Sequence, residues 1–141
     1  MSQENVELVR QWYAVYNTAM DAANPREAVR VCFESFADPQ IEWVTEATVL
    51  EAQTHHGLAG VMRFFDLLFD GFDYARQVPE DIIDCGDRVL AFVRIEARAR
   101  MTGLEMNEPW AHLITVRDGK MARLEQFRNR DDAVEAAGLS E

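Results

Sequence analysis

RVLAFVRIEARARM, residues 88–101, followed after a short gap by MNEPWAHLITVRDGKMARLEQFRN, residues 106–129, is the stretch that decides the fold. Both runs alternate with a period of two, the signature of strands whose faces meet different surroundings. In the first, Val89, Ala91, Val93, Ile95, Ala97 and Ala99 share one face. Leu90, Phe92, Arg94, Glu96, Arg98 and Arg100 share the other. In the second, Trp110, His112, Ile114 and Val116 fall together, and beyond the turn so do Leu124, Gln126 and Arg128. Asp118-Gly119 divides that run. Both residue types tolerate a left-handed backbone, which a two-residue hairpin needs. Long strands are therefore expected over Arg88–Met101, Met106–Arg117 and Lys120–Asn129. An earlier strand, Val78–Asp84, joins them through a turn at Cys85-Gly86-Asp87. Asp131–Ala137 reads as a short terminal helix closed by Gly138.

Upstream the period changes to that of a helix. From Ser2 onward, with Ser2 and Asn5 as candidate caps, Val6, Val9, Tyr13 and Tyr16 form a stripe that Leu8, Trp12 and Val15 widen. A loop is expected over Asn17–Asn24. Asn24-Pro25-Arg26-Glu27 then opens a second helix: Asn24 caps, Pro25 suits the first helical position and Glu27 completes a capping box. Its apolar face is Ala28, Val29, Cys32, Phe33 and Phe36, and Asp38-Pro39 ends it. A short strand, Ile41–Val44, follows, and Glu46–His56 reads as loop plus a short strand. Gly57–Gly60 leads into a third helix with Val61, Phe64, Phe65, Leu68 and Phe69 turned inward and Gly71 near its end. Helices first and strands afterwards define an α+β domain, not alternating βαβ units.

Composition narrows the function. At 141 residues the chain has room for one domain, 1–141, and 48% hydrophobic residues suffice for a core. A net charge of −11 disfavours binding to nucleic acid or to anionic membranes. No apolar run is long enough to span a bilayer, and the polar start Met-Ser-Gln-Glu-Asn does not read as a signal peptide. Cys32 and Cys85 are far apart and expected as reduced thiols, consistent with a cytoplasmic protein. Three histidines without a HExxH pattern argue against a metal site, and neither a phosphate loop nor a dinucleotide-binding glycine pattern occurs, so no cofactor is expected. His55 and His56 are adjacent and, on a strand, point to opposite faces.

Several segments together resemble the SnoaL-like branch of the nuclear transport factor 2-like superfamily, which includes polyketide cyclases, ketosteroid isomerase and limonene epoxide hydrolase. They are Glu4–Arg10 with Tyr13, Gly57–Val61, Gly86–Val89, His112 with Arg117–Lys120, and Asp131–Leu139. The resemblance spans nearly the whole chain, with departures at Asn17–Asn24 and Thr45–His56. It implies a cone: three helices over the concave face of a curved, antiparallel, mixed-edge sheet, a cavity between them, and a homodimer paired through the outer face. It specifies the fold more than the reaction.

Carried over residue by residue, each reaction of the superfamily loses an acid. The isomerase pattern puts its hydroxyl donor on Tyr13, its oxyanion partner on His112 and its carboxylate base on Trp43, which cannot take a proton. Glu42 precedes it but faces the other way. The epoxide-hydrolase pattern finds Arg94-Ile95-Glu96 but meets Gln126 at the second acid. The cyclase acid falls near Asn129, with Asp131 the nearest carboxylate. What remains for catalysis is a Tyr13–His112 relay able to titrate near neutral pH, with Arg94 and Glu96 as auxiliaries. Against it stand a histidine satisfied in the core and, for Arg94 to Arg100, an exposed ion-paired strand face. Trp12, Tyr16, Trp43, Phe64, Phe92, Trp110, Gln126 and Arg128 are the candidate lining of a pocket for a small hydrophobic or aromatic molecule, with Arg128 at the rim placed to attract an anionic group. The functional alternatives are cofactor-independent isomerase, cyclase or dehydratase chemistry, and non-catalytic ligand binding.

Overall fold

A computed structural model describes residues 2–45 and 54–139. Its elements are α1 (Ser2–Met20), α2 (Pro25–Phe36), β1 (Ala37–Val44), β2 (Thr54–His56), α3 (Gly57–Gly71), β3 (Phe72–Cys85), β4 (Arg88–Ala99), β5 (Glu105–Arg117), β6 (Lys120–Phe127) and α4 (Arg130–Ala136). The strands form one open, curved sheet in the order β2-β1-β6-β5-β4-β3. β3 to β6 run antiparallel, and β1 joins β6 in parallel, so the sheet is mixed at that edge.

Local chemistry accounts for the element ends. The Asn24 side chain accepts from the Glu27 N–H, as its position before Pro25 requires. Asp118 (φ 54°) and Gly119 (φ 75°) both adopt the left-handed backbone of a tight hairpin between β5 and β6. Asn129, rather than Asp131, caps α4: its side chain accepts from the Asp131 and Asp132 N–H groups. Gly57 (φ 69°) lets β2 pass directly into α3.

Several boundaries differ from the sequence reading, and three of the differences reshape α1, β1 and β3. The expected loop over Asn17–Asn24 shrinks because α1 continues to Met20. Asn17 stays helical while its amide clasps β3, donating to the Gln77 carbonyl (2.8 Å) and accepting from the Gln77 N–H (2.9 Å). Asp38-Pro39 does not precede β1 but lies within it: the strand starts at Ala37 and its register against β6 shifts between Ala37 and Glu42. The Asp38 carboxylate accepts from the Gln40 N–H (2.8 Å) inside that bulge. β3 begins at Phe72, not Val78, and carries two irregularities that bend it, one beside Pro79 on this edge strand. The stretch 46–53 of the unusual Thr45–His56 segment lies outside the described residues.

The alternation of β4 and β5 sorts side chains onto two faces. Val89, Ala91, Val93, Trp110, Ile114 and Val116 join the helices in the main core. Leu90, Ala111 and Leu113 form a smaller cluster on the opposite face, covered by Ala133 and Ala137 of the C-terminal segment. Each fully buried side chain the size of Phe33 or Leu124 contributes roughly 1.5–3 kcal/mol of hydrophobic stabilisation. The main core therefore holds helices and sheet together.

Candidate functional site

The interior of the cone has two parts. The closed end is solid: Trp12, Tyr13, Tyr16, Phe33, Trp43 and Phe65 are all fully buried. Their rings pack at tilted or edge-on angles, with Trp12–Trp43 centroids 6.3 Å apart and Phe33–Trp43 centroids 5.6 Å apart. The other part is a cavity of about 190 Å³. α3 supplies Phe64, Phe65 and Leu68, and β3 supplies Phe72, Ala75 and Gln77. Ile95 and Ala97 of β4 and Met106 and Trp110 of β5 complete the apolar wall. Glu108, Gln126 and Arg128 are the remaining polar lining.

Tyr13 and His112 do meet. The Tyr13 hydroxyl is 2.7 Å from His112 Nδ1, and the two rings stack at 14°. Both are fully buried, in the solid end, and neither lines the cavity. Burial pushes His112 down to about 3 and raises Tyr13 well above its ordinary value. Both groups are thus neutral at physiological pH, which corrects the expectation of a histidine titrating near neutrality. With hydrogen on Nε2, the tyrosine hydroxyl donates to Nδ1. His112 Nε2 then has no partner among the described residues, although Gln126 is its cross-strand neighbour.

Arg94 and Glu96 lie on the outer face of the sheet, away from this pair. Strand parity, which turns Val93 and Ile95 inward, turns their neighbours outward. Arg94 donates to the Asn107 side chain (2.6 Å) and carbonyl (3.0 Å), and Arg98 pairs with Asp73 (3.0 Å). This is the ion-paired strand face, and it removes both residues from any joint action with His112. Phe92 is outward too: it packs in the smaller cluster with the Arg130 guanidinium 5.0 Å from its ring centre. Trp12, Tyr16 and Trp43 face inward but sit in the solid end: the helical or strand period sets the face of a residue and not its depth. Phe64, Trp110, Gln126 and Arg128 do line the cavity.

At the rim, Arg128, expected to attract an anionic group, meets a carboxylate of the protein itself. It pairs with Glu108 (3.1 Å) and lies 5.8 Å from the Trp110 ring centre. Glu42 is outward as expected, bonded to Arg123. The His55 ring packs tilted against Phe64 (centroids 5.1 Å apart) while His56 is exposed beside Glu42 (3.7 Å), so the two diverge. Asn129 spends its side-chain oxygen on the α4 cap. Cys32, pushed up to about 12 by burial, and Cys85 are free thiols.

Gln77 is the lining residue that the sequence reading missed. With β3 expected to start at Val78, it fell outside a strand. The signal available was its period-two spacing from Ala75 and Pro79, a polar residue on an otherwise small and apolar face. Leu68, Ile95 and Ala97 were legible as sharing an inward or common face, but not as walls of a hollow, and Phe72, Met106 and Glu108 were not singled out.

A helix-roofed, curved mixed sheet with an apolar cavity at its open end defines the nuclear transport factor 2-like class of α+β proteins. The SnoaL-like domain model matches residues 9–124, and the chain belongs to that family. Solved structures agree on the fold. A candidate SnoaL-like polyketide cyclase from Jannaschia sp. CCS1 is 21% identical over 99% of this chain and 94% of its own, with a TM-score of 0.74. An NTF2-like protein of unknown function from Burkholderia pseudomallei K96243 is 16% identical over 94% and 95%, with a TM-score of 0.73. TerC, co-crystallised with polyporic acid, is 25% identical over 96% and 98%, with a TM-score of 0.72. No curated protein matches the sequence. No described helix is long and apolar enough to cross a membrane.

Proposed function

We propose that the protein binds a small, neutral, largely aromatic molecule in the cavity between α3 and the sheet. The observation that carries this reading is the cavity's chemistry. Its walls are aromatic and aliphatic, and its lining charges, Glu108 and Arg128, are paired with each other. A ligand bearing a net charge would meet no unpaired counter-charge there, and desolvating it would cost several kcal/mol, on the order of the penalty for an unpaired buried ion. The similarity to TerC, which was co-crystallised with polyporic acid, also supports an organic ligand.

A second reading, cofactor-independent proton transfer of the isomerase or cyclase kind, is favoured by one observation: His112 Nε2 has no partner among the described residues, and His112 is the cross-strand neighbour of Gln126, which lines the cavity. Under it, His112→Ala abolishes turnover of a bound ketone or enol without lowering affinity. Under the binding reading, the same variant changes stability only. Homodimer formation through the outer face of the sheet belongs to either reading. A sedimentation profile of monomer alone would remove it.

The test of the main reading is to fill the cavity. Leu68→Trp places an indole where a half-buried leucine lines the opening. Titration of 2-naphthol, followed by tryptophan fluorescence, is expected to saturate with the natural protein and to lose at least ~10-fold in affinity in the variant, the equivalent of 1.4 kcal/mol. Equal binding by both would place the ligand elsewhere.

A further inference from the structure

Gln77 is built as an acceptor. It is 4% exposed, and its backbone is held on both sides by Asn17. Its side-chain Oε1 is buried and lacks any partner among the described residues, on a residue that lines the cavity. Gln126, across the same cavity, repeats the pattern with a second buried and unpartnered Oε1. Two buried, unpartnered amide oxygens on residues that line a largely apolar hollow form an unmet demand for hydrogen-bond donors.

Resting on the reading that this cavity holds a small molecule, we infer that Gln77 is its specificity-determining residue: Oε1 accepts a hydrogen bond from a neutral donor on the ligand, a phenolic or alcoholic hydroxyl or an N–H. Gln126 Oε1 offers a second acceptor. Ketones, ethers and carboxylates present only lone pairs to these oxygens. A carboxylate adds charge repulsion and a desolvation cost that the closed Glu108–Arg128 pair does not offset. Sites that bond a ligand hydroxyl discriminate strongly against analogues lacking it, because their own buried group is then left unpaired.

Three probes of one shape separate the terms: 2-naphthol, 2-methoxynaphthalene and 2-naphthoate, each titrated into the full chain by calorimetry. The natural protein is expected to bind the naphthol at least ~10-fold more tightly than the ether, and the naphthoate most weakly, since one lost hydrogen bond near 1.4 kcal/mol is tenfold. Gln77→Leu is expected to bring the naphthol-to-ether ratio close to one while the ether still binds. Gln77→Met, closer in length, is the second variant, and retained binding of the ether is the control that the cavity is intact. Equal affinity for naphthol and ether in the natural protein overturns the inference, as does an unchanged ratio in either variant. Failure of all three probes to bind would instead remove the cavity reading itself.

Discussion

His112 shows how burial decides chemistry at the level of one side chain. Among the described residues its imidazole has one hydrogen-bond partner, Tyr13, and no counter-ion, so burial favours the neutral ring. The folded-state pKa, about 3, lies below the ordinary 6.5 of an exposed histidine. The unfolded chain thus takes up a proton that the folded one refuses. This group's contribution to stability is complete above 6.5 and is lost as the pH falls toward 3. A urea series across that interval is expected to show stability falling more steeply in the natural protein than in His112→Phe. Parallel slopes would mean that His112 protonates without cost. Tyr13→Phe should destabilise by about 1–3 kcal/mol, because it strands a buried ring nitrogen, in a denaturant melt of the two proteins side by side. Neither consequence was legible from the sequence. The face of His112 followed from the spacing to Trp110 and Ile114, but its depth depends on the rings of Tyr13 from α1 and Trp43 from β1 that pack against it.

At the level of elements, strong local chemistry made itself readable. Asn24-Pro25, Asp118-Gly119 and the alternation of β4 and β5 each name a structure that forms for short-range reasons, and each is found in place. β3 resisted reading because its first half is specified by distant partners: Asn17 from α1 on one edge and β4 on the other, across bulges that interrupt the alternation. The length of α1 was obscured in the same way, since Asn17 and Thr18 suit loops but here bond to β3 and to the Ala14 carbonyl. α4 stands apart from the cavity, over Leu90 and Leu113 on the outer face. Asn129→Ala, which removes its cap, should therefore cost about 0.5–2 kcal/mol in a thermal or chemical melt and leave affinity for 2-naphthol unchanged. A loss of binding would mean that the two faces are coupled through the sheet.

For the whole molecule, the division of the cone into a packed end and a hollow end governs what it can do. The packed end holds Tyr13, Trp43 and His112, all fully buried. The hollow end holds largely apolar walls and two lining glutamines whose buried amide oxygens lack partners among the described residues. Sequence periodicity assigned most of these residues to the correct face and could not separate the two ends. That separation arises from how far α3 stands off the bent strands. The three tryptophans happen to report on it: Trp12 and Trp43 belong to the packed end, Trp110 to the cavity wall. The most direct test is therefore to follow the three indole N–H signals by ¹⁵N-edited NMR while 2-naphthol is added. The account predicts a saturable shift of Trp110 with Trp12 and Trp43 left in place. No saturable shift at Trp110, or equal movement of all three, would contradict it.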